Sequence, residues 1–290
     1  MAPSRVRLYL MVAFMIVSWA LSFVLGKIAL REIPPLVLPG IRIGLATLCL
    51  IPIYLWKGGR RPFARQDFPR LIVVSLCGIT FNQFFFITGL SRTSVAHMAV
   101  FIAISPILVL IFAVIAGQER FTVGKSAGML IAMAGVLALE LSKTDSGIST
   151  PLGDLLAFLG VVAFSIYTVA GKKFATQYGS VPMNLLSYSI GAVTLLPLSF
   201  VERSTFQVAS VSATAWLSLA YMVIFSSVGT YLIYYYALAH MPASRLTTFT
   251  YAEPVLATIL GYFFLGEPIT WTLGAGGGLV LIGVWIAETR

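Results

Sequence analysis

Charge is what this 290-residue sequence has least of. Only 10% of its residues are Asp, Glu, Lys or Arg, against roughly 25% in ordinary soluble domains. There are ten acids, two histidines and two cysteines, and each shortage excludes something. Cys49 and Cys77 both lie in apolar stretches, which excludes a disulfide framework and a thiolate metal cluster. Scattered acids and two histidines offer no clustered carboxylates for a metal, no Ser with a neighbouring base and no His-rich loop. An intramembrane enzyme would need one of these. No Walker A motif is present, which argues against ATP-driven pumping by this chain alone. No enzyme activity, metal or cofactor is expected.

What is abundant is apolar surface. Hydrophobic residues make up 59% of the chain and the mean hydropathy is +0.95. Too few polar groups remain to cover a globule of this size, so lipid must serve as part of the solvent. Arg5 and Arg7 precede an apolar run from Leu8 to about Leu25. That run is too long for a signal-peptide core and no small-x-small site follows it, so it reads as a first transmembrane helix. A hydrocarbon core of ~30 Å needs about 20 apolar residues. Breaks at charge clusters, Pro and Gly then predict ten spans: 8–30, 35–56, 70–90, 94–116, 123–141, 152–173, 181–201, 213–238, 243–265 and 270–288.

The net charge of +9 is placed as membrane topology requires, and nucleic acid is not an expected partner. With a cytoplasmic N-terminus, thirteen basic residues fall inside, including Arg60, Arg61, Lys125, Lys172 and Arg245. Five fall outside: Lys27, Arg31, Arg92, Lys143 and Arg203. The positive-inside rule therefore predicts that both termini are cytoplasmic.

The halves repeat. A shift of 148 pairs Phe101 with Phe249, Pro106 with Pro254, Glu119 with Glu267, Gly128 with Gly276, Gly135 with Gly283 and Glu140 with Glu288. Nearer the start a shift of 145 pairs Val24 with Val169, Gly26 with Gly171 and Lys27 with Lys172. This predicts two five-helix units, 1–145 and 146–290. Five is odd, so the second unit enters the membrane upside down, as in transporters built from inverted-topology repeats around a midplane site. The expected fold class is an all-α polytopic membrane protein with ten transmembrane helices.

The segment "PASRLTTFTYAEPVLATILGYFFLGEPITWTLGAGGGLVLIGVWIAE", Pro242 to Glu288, resembles the EamA-type drug/metabolite transporter superfamily. There a Pro in the ninth helix, a following Gly-Glu and a Gly-rich tenth helix recur. The first half is similar more loosely, with Gln118-Glu119 where the second has Gly266-Glu267. Within the superfamily the chain is most similar to the bacterial aromatic amino-acid exporter branch. The resemblance implies ten helices, alternating access and export of amino acids or related metabolites. It also implies the inner membrane of a bacterium, with lipid and a small-molecule cargo as partners and a monomer or weak homodimer as the working unit.

A site between the repeats should draw on matching helices. In span 4, His97, Phe101 and Ser105 share a face; their partners in span 9 are Arg245, Phe249 and Glu253. Both stripes end at prolines, Pro106 and Pro254, where a lost hydrogen bond predicts a helix break facing the cavity. An acid inside a membrane span is a functional candidate by default, although Glu253 could instead stay protonated, or cap a backbone donor, without touching cargo. Trp19, Phe23 and Lys27 share a face of span 1, and Lys27 is expected to snorkel. Asn82, a mid-span amide, needs a partner. Tyr167 belongs to the aromatic crowd of span 6, and Tyr231 and Tyr234 follow Ser227 on one partly polar face of span 8. Arg42, about 10 Å below the outer end of span 2, is expected to form an ion pair, with Glu140 as a candidate. Glu119 and Glu267 stand before Thr122 and Thr270, the reverse of a capping box, so an interfacial loop contact is expected of them. The glycines from Gly274 predict close helix packing or a dimer face.

The expected function is thus a secondary transporter of small amphipathic metabolites, with an aromatic amino-acid preference. The cargo site comprises Trp19, Phe23, Asn82, His97, Phe101, Tyr167, Tyr231, Tyr234, Phe249 and Glu253. A channel-like facilitator, or a carrier in the same superfamily for another metabolite or drug, is the alternative.

Overall fold

A computed structural model describes residues 4–57, 63–90, 92–93, 95–140, 150–265 and 271–289. Within these, the side chains of Phe23, Lys27, His97 and Glu140 lie outside the described set. All regular elements among the described residues are helical. The first two are α1 (Arg5–Ala29) and α2 (Val37–Trp56). A composite third span follows: α3 (Phe68–Ser75), a π-helical stretch over Leu76–Phe81 and α4 (Asn82–Leu90). Then come α5 (Val95–Ile115), α6 (Val123–Glu140), α7 (Pro151–Tyr178) and α8 (Ser180–Ser199). The eighth span is again composite, with α9 (Ala213–Tyr221), a π stretch over Met222–Gly229 and α10 (Thr230–His240). The ninth is α11 (Ala243–Thr248), a 3-10 turn over Phe249–Tyr251 and α12 (Ala252–Leu265). α13 (Trp271–Thr289) is the last.

Joined across their irregular turns, these elements form ten segments near the expected boundaries. Among the described residues six stretches are long and apolar enough to cross a membrane: Arg5–Gly26, Val37–Trp56, Arg65–Gly89, Pro151–Tyr178, Ser180–Glu202 and Ala213–His240. Val100–Ile115, Val123–Leu139 and Leu273–Thr289 are shorter apolar helices. The sixth span runs beyond the expected end at Lys173. What stops it is Gly179, whose φ of 86° suits a residue without a Cβ.

The distribution of polarity inverts that of a soluble protein. Leu48, Leu55, Val193, Leu217, Phe263 and Trp285 are exposed, while Ser75, Thr168, Asn184, Ser187, Ser226, Ser227 and Thr247 are buried. An apolar coat is stable only against lipid, and helices suit that medium because they satisfy their backbone groups internally.

Two helix pairs are zipped by glycine. A Cβ on Gly128 would stand 2.6 Å from the Gly283 carbonyl oxygen and 2.4 Å from the Ala287 nitrogen. On Gly135 it would stand 2.6 Å from the Gly276 carbonyl oxygen and 2.7 Å from the Val280 nitrogen. Rising numbers on α6 meet falling numbers on α13, so the pair is antiparallel. The 148-residue shift converts Gly128/Ala287 into Gly276/Leu139 and Gly135/Val280 into Gly283/Ala132, and both of those are close contacts too. This is the self-complementary pattern that a two-fold axis produces. Gly40, Gly44 and Gly191 serve α2 and α8 in the same way: Gly40 meets Leu195 and Ser199, Gly44 meets Leu196, and Gly191 meets Ile79 and Ile43. Around these seams α1 packs on α9, α10 and α12, and α7 on α3, α4 and α5.

Candidate functional site

The buried aromatic and polar side chains converge where α1, α7, α8 and the eighth span meet. Trp19 of α1 is the hub. Its ring centroid lies 6.4 Å from Phe164, 5.7 Å from Tyr231 and 5.6 Å from Tyr234. Tyr231 meets Tyr188 edge-on at 5.5 Å, Tyr234 meets Phe164 at 5.6 Å, and Tyr235 meets Tyr167 at 5.1 Å. Edge-on and tilted pairs like these each contribute about 0.5–1.5 kcal/mol beyond the area they bury. Gly78, in the first π stretch, makes room for the cluster, since a Cβ there would lie 2.0 Å from the Tyr167 ring. π turns recur at functional sites in helices, and here the third span, which abuts Tyr167 at Gly78, and the eighth span each carry one.

Hydrogen bonds fix the rings. Thr168 donates to the Phe164 carbonyl at 2.9 Å, so the Tyr234 hydroxyl, 2.5 Å away, donates to Thr168. The Tyr188 hydroxyl donates to the Ser227 carbonyl at 3.0 Å, and the Asn184 amide donates to the Tyr231 carbonyl at 3.0 Å. Arg42 reaches the same region. Its Nε donates to Ser227 Oγ at 2.7 Å and its Nη2 to Ser226 Oγ at 3.2 Å. Among the described residues Arg42 has serines for partners, because α2 turns it toward the second π stretch. The proposed acid, Glu140, has its side chain outside the described set.

Glu253 is 6% exposed and its Oε1 has no hydrogen-bond partner. It stands on α12, which packs against α1, the helix of Trp19. Its repeat counterpart, Ser105, is equally buried and its hydroxyl is likewise unpartnered. The helix break expected at each proline is not symmetrical. Around Pro254 the chain forms the 3-10 turn and Pro254 stands in the first turn of α12, where a proline sacrifices no helical bond. At Pro106 the expectation is corrected, because α5 runs unbroken from Val95 to Ile115. One missing bond is absorbed when the helix is packed on both sides of it.

The structure thus brings together Trp19, Tyr167, Tyr231, Tyr234 and Glu253. Phe101 stands elsewhere, against Phe158 of α7 at 6.4 Å. Phe249 packs on Tyr9 at 5.9 Å, beside the Arg245–Glu288 ion pair. Asn82 spends its amide on the Gly160 carbonyl at 3.1 Å, tying α4 to α7. Phe23 and His97 lie, by their side chains, outside the described residues. Tyr188, Tyr235 and Ser226 join the centre without having been expected there. Two of them are tyrosines in apolar spans, which carry no sequence signal of their own.

Polar latches close both ends of the bundle. The Glu32 carboxylate accepts from the Ser212 backbone at 2.6 Å and the Ser212 hydroxyl at 2.7 Å. The Asp67 carboxylate accepts from Gln177 Nε2 at 3.1 Å and the Tyr178 hydroxyl at 2.6 Å. The 145-residue shift carries Glu32 to Gln177 and Asp67 to Ser212, so each latch is the image of the other with the acid moved across. Glu119 makes the expected loop contact. It accepts from Lys125 Nζ at 2.5 Å, from the Ser244 backbone at 3.1 Å and from the Ser244 hydroxyl. Burial pushes its carboxyl up, but the bonds from Lys125 and Ser244 outweigh that and hold it below the usual glutamate range. Nearby, Gln118 Nε2 donates to the Val169 carbonyl at 3.1 Å and Lys172 Nζ to the Met241 carbonyl at 2.6 Å. Glu267, the counterpart of Glu119, lies outside the described residues.

An all-helical bundle with an apolar coat, glycine seams and a polar-aromatic centre defines a polytopic membrane protein. The chain belongs to the EamA-like transporter family, whose model matches residues 6–141 and again residues 151–289. It is 30% identical over 285 residues to an uncharacterized transporter of Archaeoglobus fulgidus, covering 97% of this chain and 99% of that one. It is 27% identical to the uncharacterized transporter YvbV of Bacillus subtilis, covering 99% and 93%. A WAT1-related chloroplastic protein of Arabidopsis thaliana is 25% identical over 93% of this chain and 66% of its own length. A crystal structure with a TM-score of 0.82 and 21% identity, covering 99% of this chain and 98% of that one, shares the fold.

Proposed function

We propose that this drug/metabolite-type transporter exports small amphipathic metabolites, preferentially aromatic amino acids, from the bacterial cytoplasm across the inner membrane. Two inverted five-helix units, 1–145 and 146–290, rock about a shared axis, with both termini cytoplasmic. A monomer suffices, because the glycines of span 10 that meet a neighbour do so within the chain. The antiparallel, self-complementary glycine seam between α6 and α13 supports the inverted relation, as does a family model that matches the two halves in turn.

The observation that carries the cargo assignment is the ring cluster of Trp19, Phe164, Tyr231 and Tyr234, edged by a buried acid with an unpartnered oxygen. An aromatic cargo replaces ring–ring contacts with equivalent ones, so its entry costs little packing energy. The test is a panel of radiolabelled amino acids in proteoliposomes, with and without a pH gradient. Phenylalanine, tyrosine and tryptophan should be carried, and preloaded unlabelled cargo should accelerate uptake, as it does for a carrier and not for a pore. Aromatic amino acids that are neither carried nor able to compete would overturn the cargo assignment. Absence of acceleration by preloaded cargo would favour the channel-like alternative.

A further inference from the structure

Two ionisable residues at membrane depth border the aromatic cluster: Arg42 bonds to Ser227, one turn before Tyr231, and Glu253 stands on α12, which packs against α1, the helix of Trp19. Arg42 is half-buried and uses two of the five N–H groups of its guanidinium, both on serines of the second π stretch. Glu253 is buried, and one carboxyl oxygen has no partner. The two are not paired with each other, nor with any other opposite charge among the described residues. Isolated charged groups in a low-dielectric interior are expensive, and within a membrane they mark a pathway. An unpaired cation and an unpartnered acid beside one aromatic cluster lack a single thing: a molecule with the complementary groups at its two ends.

We infer that Arg42 and Glu253 together recognise the zwitterionic backbone of an α-amino acid, Arg42 taking its carboxylate and Glu253 its ammonium, while the ring lies against Trp19 and Tyr231. The inference rests on the amino-acid reading above and adds the residues that read the charges. The bonds to Ser226 and Ser227 fix the guanidinium fork before cargo arrives, so the remaining donors are pre-organised for a planar carboxylate. The cargo ammonium supplies the counter-charge that the Glu253 carboxylate lacks. A plain amine would leave Arg42 unsatisfied and a plain carboxylate would leave Glu253 unsatisfied. Both should therefore bind more weakly than the amino acid, by about ten- to a hundredfold, the range of one charged hydrogen bond.

The experiment is competition against labelled phenylalanine uptake in proteoliposomes by three compounds: phenylalanine, phenethylamine, which lacks the carboxylate, and 3-phenylpropionate, which lacks the ammonium. The same compounds are scored by their shift of the melting temperature of the purified protein in detergent. Wild type should prefer phenylalanine to both analogues by tenfold or more. Arg42→Gln should abolish the preference over phenethylamine and spare that over 3-phenylpropionate. Glu253→Gln should do the reverse, and Arg42→Lys should restore part of the first preference. If wild type carries phenylalanine but the variants keep both preferences, or lose affinity for all three compounds equally, the inference is overturned while the transport reading stands. If correctly folded wild type neither carries nor binds phenylalanine, the amino-acid reading falls and takes this inference with it.

Discussion

Gly128 of α6 rests on the backbone of Gly283 of α13, and the same contact recurs with the helices exchanged, Gly276 on Gly135. No side chain fits between them. A methyl group at Gly128 or Gly283 would lie within 2.6 Å of backbone atoms, which cannot rotate away. Gly128→Ala and Gly283→Ala should each lower stability by about 1–3 kcal/mol, the usual penalty for overpacking. Gly274→Ala and Gly278→Ala, which would meet nothing within 4 Å, should leave it unchanged. Thermal unfolding in detergent distinguishes the two pairs.

Glu119 makes stability depend on pH. Its folded carboxyl is held below the ordinary glutamate range by Lys125 and Ser244, so the ionised form is the stabilising one. That contribution is complete above the unfolded value of about 4.3 and is lost as pH falls through the lower folded value. Melting temperature should therefore hold level from pH 7 to about 5.5 and fall below about 4.5. Glu119→Gln should reduce the melting temperature at pH 7 and flatten the acid limb. An unaltered acid limb in the variant would assign the acid sensitivity to other carboxylates.

Tyr234 combines ring packing with one hydroxyl bond to Thr168. Tyr234→Phe keeps the first and removes the second, while Thr168 keeps its bond to the Phe164 carbonyl. The cost should be about 1 kcal/mol, with transport retained. Tyr234→Ala removes a fully buried ring and should cost about 3–5 kcal/mol, with transport lost. Equal effects of the two substitutions in parallel unfolding and uptake assays would assign the role of Tyr234 to its hydroxyl.

Arg245 joins three spans, bonding to Glu288 of α13 and donating to the Tyr9 hydroxyl of α1 at 2.8 Å. The guanidinium is partly exposed, so solvent and salt screen the pair. Glu288→Gln should cost no more than about 1 kcal/mol, and the loss should shrink as salt is raised. A double-mutant cycle with Arg245→Gln at two ionic strengths measures the coupling directly.

Most of the scaffold was legible in the sequence because lipid imposes long apolar helices and punctuates them with charge. The numerical register of prolines and glycines was legible because such residues stand out in an apolar sequence. Gly128 and Gly276, which pair by number, lie on helices that touch. The centre was only half legible. Trp19, Tyr231 and Tyr234 carry a polar face, but Tyr188 and Tyr235 sit in runs where periodicity distinguishes no side. Neither π stretch has a sequence signature, since widening a turn changes which residues align without changing their composition. That is why the bonds of Arg42 to Ser226 and Ser227 have no signal in the sequence. Pro106 misled for the opposite reason: a strong local signal, overruled by packing on both sides of the helix.

The seam between α6 and α13 also orders events in time. α6 leaves the ribosome well before α13, whose surface it needs, so Gly128 and Gly135 face something provisional until α13 is made. A chain cut short before Trp271 would keep that bare groove, and its nearest substitute for α13 would be a groove of the same kind on another truncated copy. Late truncations should therefore trap the protein as an aberrant pair, visible as a doubled mass on a native gel.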